Sequence, residues 1–152
     1  MSQKMRMKVA ADVSQYPKVL DWVEVGVSSS QIQLCVEEIF INICSYAYPE
    51  KRGDVEILLQ NIDGQVEIEF IDDGIEFNPL EYKRQKPIDQ PGGFGIYIVN
   101  HLMDEIKYER KNNQNHLRLK KLIKPEKTWR TVPTQSTSYG EEKTNILLSN
   151  AG

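Results

Sequence analysis

The sequence predicts an α+β domain, a two-layer α/β sandwich with helices on one face of a mixed, mostly antiparallel sheet. Three observations carry this expectation. Residues 65–71 alternate Val66, Ile68 and Phe70 with Gln65, Glu67 and Glu69, the period of a half-buried strand. The helix expected over residues 31–46 places Ile32, Val36, Ile39, Phe40 and Ile43, with Ala47 just beyond, on one stripe at helical spacing. The segments also run strand, helix, helix, strand, strand, long loop, helix, strand, strand. At 152 residues the chain is long enough to bury one core.

Each element has its own signal. Residues 5–10 alternate weakly and read as a first strand. Residues 16–25 carry Val19, Leu20, Trp22 and Val23, an amphipathic helix for which Ser14 is the expected cap. Ser28, Ser29 and Ser30 suit the start of the next helix, which ends before Pro49. Residues 55–59 read as a strand joined to residues 65–71 through the hairpin signal Asn61-Ile62-Asp63-Gly64. Residues 72–91 hold three prolines and little periodicity, and a loop of that length is usually functional. A third helix begins near Gly95 and runs through Ile96, Ile98, Val99 and Leu102. Two strands follow, residues 104–110 and 116–122, with Asn112-Asn113-Gln114-Asn115 as the turn. Beyond Lys124 the chain is polar and rich in Thr and Ser, so residues 1–123 are taken as the domain. Residues 124–152 are taken as an extension, disordered or docked through Ile146-Leu147-Leu148.

Composition excludes several classes of function. A net charge of −3 gives no basis for direct nucleic-acid binding or for attraction to an anionic membrane. No apolar run approaches the roughly 20 residues of a membrane span. The first residues turn polar without an apolar signal core, so a cytoplasmic location is expected. Cys35 and Cys44 lie nine residues apart on one helix, roughly 13 Å along its axis, too far for a disulfide. Their spacing matches no zinc site, and both read as plain thiols.

Three short motifs carry chemistry. On the second helix Glu38 and Asn42 are separated by about 40° in projection, whereas Glu37 lies about 100° from Glu38. An Asn oxygen is a neutral hard ligand suited to Mg²⁺ beside phosphates. The Glu can accept a proton from an attacking hydroxyl or water. The same spacing also occurs on ordinary solvated helix faces. Asp72-x-Gly74 ends the strongest strand and leads into Ile75-Glu76-Phe77. Asp72 can accept from an exocyclic amine such as adenine N6, with Gly74 letting a base approach. A plain turn uses the same residues. Pro91-Gly92-Gly93-Phe94-Gly95 precedes a helix, where converging N–H groups can cradle phosphate; a hinge is the alternative. No Gly-Lys-Ser/Thr follows, which excludes a Walker A loop, and the third glycine of a Rossmann fingerprint is missing.

Taken in order, Glu38-x-x-x-Asn42, Asp72-x-Gly74 and Gly93-x-Gly95 resemble the N, G1 and G2 boxes of the GHKL (Bergerat-fold, histidine-kinase-like) ATPases. The stretch 35–42 looks most like the stand-alone anti-sigma-factor serine/threonine kinases. The resemblance covers about residues 5–122. It implies ATP and Mg²⁺ as cofactors and Glu38 as general base. Asn42 would be the metal ligand, and Asp72 the adenine reader with Gly74 and Phe77 beside it. Gly92, Gly93 and Gly95 would cradle the phosphates under a lid of residues 78–91, where Lys83, Arg84 and Lys86 could meet phosphate charge. It further implies a homodimer that phosphorylates a small anti-anti-sigma (STAS-type) protein and also binds a sigma factor. Tyr46 stands where many relatives carry His. A nucleotide-gated binding module without useful kinase chemistry is the second expectation. An ATPase fragment of a sensor histidine kinase fits less well, because no long dimerisation helix with a phosphoacceptor His is present. His101 and His116 read as structural or surface residues.

Overall fold

The computed structural model describes residues 2–81, 95–124, 127–132 and 144–149. Five strands form one sheet: β1 (Ser2–Ala10), β2 (Asp54–Ile62), β3 (Gln65–Asp72), β4 (Glu105–Lys111) and β5 (Gln114–Leu122). Their spatial order is β1-β2-β3-β5-β4. Every pairing is antiparallel, so the sheet is not mixed as expected. The reason lies in the connections. β1–β2 is joined through helices that return the chain in the opposite sense, whereas β3 and β4 run in the same sense and are not neighbours. β2–β3 and β4–β5 are hairpins. The last strand, β5, inserts between β3 and β4.

Three helices, α1 (Tyr16–Gly26), α2 (Ser30–Tyr46) and α3 (Gly95–Leu102), accompany this sheet. α2 packs on both α1 and α3, and α1 reaches β1 and β2. Strand register sets which side chains share the core face. Val9, Val55 and Asp72 lie in one cross-strand row, Ile57, Phe70 and Leu117 in another, and Leu59, Ile68 and Leu119 in a third. These apolar residues are buried together with Val19, Val23, Ile32, Val36, Ile39 and Phe40 of the helices. The opposite face of the sheet is charged and paired, with Arg6–Glu56 at 2.6 Å and Arg118–Glu67 at 3.1 Å.

Helix boundaries follow from local chemistry, with one correction. Ser29 caps α2, its Oγ accepting from the Ile32 N–H at 3.3 Å. Ser14 does not cap α1. Asp12 accepts from the Ser14 N–H and opens a 3-10 turn over Val13–Gln15, and α1 starts with Pro17 in its first turn instead. The hairpin turns are also tighter than the sequence suggested. Asn112 and Asn113 alone turn the chain, both with positive φ (54° and 58°). Gln114 and Asn115, expected in the turn, are the first residues of β5.

The chain divides by contact density into residues Met1–Leu122 and Ile123–Gly152. In the second unit, expected to be without regular structure or merely docked, β6 (Lys127–Val132) and β7 (Thr144–Ser149) pair antiparallel. The Ile146-Leu147-Leu148 island falls within β7.

Candidate functional site

The core face of the sheet changes character at one end. Register places Val55, Asp72, Asn115 and Arg110 across β2, β3, β5 and β4. Three of these four are polar, at a level where the rows below are apolar. Asp72 and Asn115 are each only 6% exposed. A buried polar row is costly unless it is hydrogen-bonded, and each of these side chains has at least one partner. Asp72 Oδ1 accepts from the Gly74 N–H and from Asn115 Nδ2, both at 2.9 Å. Arg110 donates to the Gly74 carbonyl at 2.8 Å.

The turn after Asp72 is fastened to the end of α2. The Ile75 N–H donates to the Ala47 carbonyl at 2.9 Å, and the Asp73 N–H donates to the Tyr48 hydroxyl at 2.9 Å. Gly74 is required by this docking, since a Cβ there would collide with the Ala47 carbonyl oxygen. Its nearest neighbour is therefore α2 backbone.

A pocket opens above this row. α2 and its C-cap contribute Ile39, Asn42, Ile43, Tyr46 and Ala47; β3 contributes Phe70 and Asp72; the segment after it contributes Phe77 and Pro79. Ile96 of α3, Tyr108 of β4, and Asn115 and Leu117 of β5 close it. Apolar walls with a few convergent polar groups are the usual form of a small-molecule site. Tyr46 and Phe77 stand side by side on the wall, ring centroids 6.2 Å apart and tilted by 31°.

Glu38 lies outside this lining, one turn nearer the start of α2, or about 6 Å along the axis from Asn42. It faces the first residue of α3. A Cβ on Gly95 would run into the Glu38 carboxylate. Burial, and then the charge of Glu37, raises the pKa of Glu38 above the ordinary carboxylate value. Burial likewise raises Asp72, opposed by the Asn115 and Gly74 hydrogen bonds and by Arg110. Cys35 and Cys44 are both pushed up to about 11 by burial, which makes them inert thiols.

Of the residues singled out from sequence, Asn42, Asp72 and Phe77 thus meet at one pocket, with Gly74 beneath it. Glu38 and Gly95 meet next to it. Gly92, Gly93, most of the lid and its Lys83, Arg84 and Lys86 lie outside the described residues. Sequence reasoning missed Tyr108, Arg110 and Asn115. No local pattern marks them; only strand order brings them to Asp72. Among the described residues no cluster of His, Cys, Asp and Glu is arranged to hold a metal ion. Nor is any described helix long and apolar enough to cross a membrane.

This architecture agrees with comparison to known proteins. The sequence profile of the histidine kinase-like ATPase domain matches residues 9–121, and the chain belongs to that family. Among individual relatives, it is similar to the serine/threonine-protein kinase BtrW of Bordetella bronchiseptica, 29% identical over 101 residues, covering 62% of this chain and 71% of that one. It is also similar to the serine-protein kinase RsbW of Bacillus thuringiensis and of Bacillus cereus. Each is 26% identical over 122 residues, covering 68% of this chain and 76% of theirs.

Proposed function

We propose that this chain is an Mg-ATP-dependent protein serine/threonine kinase. In this reading it acts as an anti-sigma factor or partner-switching regulator and phosphorylates a small anti-anti-sigma protein of the STAS type. The observation that carries the proposal is the polarity of the site along α2. A buried carboxylate, Asp72, sits in an apolar pocket at one end, and a second carboxylate, Glu38, sits against Gly95 one turn beyond Asn42. That spacing fits a nucleotide lying along the helix, base toward Asp72 and phosphates toward Glu38.

The residues divide the work. Asp72 accepts from the exocyclic amine of adenine, and Phe77 packs beside the base. Asn42 would hold Mg²⁺ through its neutral oxygen, and the ion would supply neutralisation of phosphate charge. Gly92, Gly93 and Gly95 let the backbone approach the phosphates, and the bare Cα of Gly95 leaves room for the Glu38 carboxylate. Glu38 takes the proton from the attacking serine or threonine hydroxyl. Its raised pKa makes it a stronger base than an exposed Glu. It also means that activity falls, as pH drops, through a value above the ordinary carboxylate range. In this reading residues 1–123 form the kinase domain, 124–152 an extension, and the protein works in the cytoplasm as a homodimer that also binds a sigma factor.

The test is phosphotransfer from labelled ATP to an anti-anti-sigma protein of the same organism. Wild type is expected to yield phosphoserine or phosphothreonine on that partner. Glu38→Gln is expected to bind ATP normally and to lose about 10²–10⁴-fold in rate. Saturable ATP binding with no phosphorylated product, and with wild type and Glu38→Gln alike, would replace the kinase by a nucleotide-gated binding module.

A further inference from the structure

Asn115 is the most fully engaged side chain of the site. Its Nδ2 donates to the Ile75 carbonyl at 2.7 Å and to Asp72 Oδ1 at 2.9 Å. Its Oδ1 accepts from the Tyr108 hydroxyl at 2.6 Å and from the Phe77 N–H at 3.2 Å. Two acceptors lie on one side and two donors on the other, so only one orientation of the carboxamide satisfies all four. An Asn has two donors and two acceptor lone pairs, and here every one is used. Asn115 lines the pocket, yet it has no bonding capacity left for a ligand.

What it does instead follows from where the bonds go. Asp72 Oδ1 is saturated by Asn115 and the Gly74 N–H, and among the described residues Asp72 Oδ2 has no partner. The bonds to Ile75 and Phe77 hold the segment that carries the aromatic wall. We propose that Asn115 is a positioning residue that selects adenine over guanine. It anchors one oxygen of Asp72, so that the other is presented as a pure acceptor to a 6-amino group and against a 6-oxo group, and it fixes Phe77 beside the base. This inference rests on the ATP-binding reading above and adds the group that makes Asp72 discriminating.

A second consequence concerns pH. The groups facing Asp72 are Asn115 of β5, Arg110 and Tyr108 of β4, Tyr48 beyond α2, and Asp73 and the Gly74 N–H on its own turn. Burial raises the Asp72 pKa, and the Asn115 hydrogen bond is the largest influence opposing it. A protonated Asp72 cannot accept at Oδ2 unless it turns its proton away. Loss of the Asn115 donor therefore moves the acid limit of adenine binding upward.

The experiment is calorimetric titration of the full chain with ATP and with GTP across pH, on wild type, Asn115→Ala and the isosteric Asn115→Asp. Asn115→Ala is expected to weaken ATP binding by about tenfold and to narrow the ATP-over-GTP preference. It should also raise the pH at which ATP binding is half lost. Asn115→Asp, with two carboxylates in contact, should raise that pH further. Ligand ionisation cancels in comparisons between proteins. If Asn115→Ala does not fold, Asn115→Asp and Tyr108→Phe decide, the latter removing one of the two donors to Oδ1. Wild-type preference and pH limit in the folded variants would overturn the positioning role while leaving ATP binding intact. A wild type that binds neither nucleotide would overturn both.

Discussion

The two described glycines of the site look alike in sequence and differ in what stands against them. At Gly74 the obstacle to a Cβ is the backbone of Ala47, the C-cap of the packed helix α2, which cannot give way. At Gly95 the obstacle is the far end of the Glu38 side chain, which can rotate aside. Gly74→Ala is therefore expected to destabilise the fold by about 1–3 kcal/mol, read by urea unfolding. Gly95→Ala should leave the unfolding midpoint nearly unchanged and lower phosphotransfer, because it displaces the base. Asp72 gives a third contrast. Its folded-state pKa is raised, so its favourable contribution is present below the unfolded carboxylate value of 3.8 and is lost as pH rises through the raised value. An Asn at this position keeps an acceptor for Gly74 and Asn115 and carries no charge. Asp72→Asn should thus be at least as stable as wild type near neutral pH, with the difference shrinking toward acid, while ATP affinity collapses. Thermal denaturation at about pH 5 and about pH 8 checks the sign.

At the scale of elements, α2 joins stability to site geometry. Its buried stripe of Ile32, Cys35, Val36, Ile39 and Phe40 fixes its rotation on the sheet, and rotation decides that Asn42 faces the pocket. Its start depends on Ser29. Ser29→Ala removes an N-cap bond and is expected to cost about 1 kcal/mol, seen as a lower unfolding midpoint with ATP affinity preserved. α3 is tied at its other end by Lys121, whose ammonium donates to the Leu102 carbonyl at 2.7 Å. The helix that carries Gly95 is thereby held from β5, the strand that also carries Asn115.

At the scale of the whole molecule, every described residue of the site lies within Met1–Leu122. Removal of residues 124–152 is therefore expected to leave ATP affinity within about twofold of the full chain by calorimetry. ATP at about 100 times its dissociation constant should stabilise either form by about 2.7 kcal/mol, read as a rise in unfolding midpoint. A stabilisation seen only with the full chain would bring the second unit into the site.

Much of this protein was legible along the chain. Strand alternation at Val66, Ile68 and Phe70, the α2 stripe and the separation of Glu38 from Glu37 are local periodicities, and periodicity is a property of neighbouring residues. The order of three motifs likewise pointed to the family. What sequence could not supply was strand order. Asn115 read as a turn residue because Asn-rich stretches usually turn, and only the insertion of β5 between β3 and β4 sets it beside Asp72. Tyr108 and Arg110 reach the site through the register of β4 on β5, and Gly95 reaches Glu38 through the packing of α3 on α2. Those contacts join residues far apart in the chain, and they are chosen by which faces can be buried together. The sequence by itself determined the elements and the groups able to do chemistry; the tertiary structure decided which groups meet, because pairing and packing are settled between elements and leave no mark within any one of them.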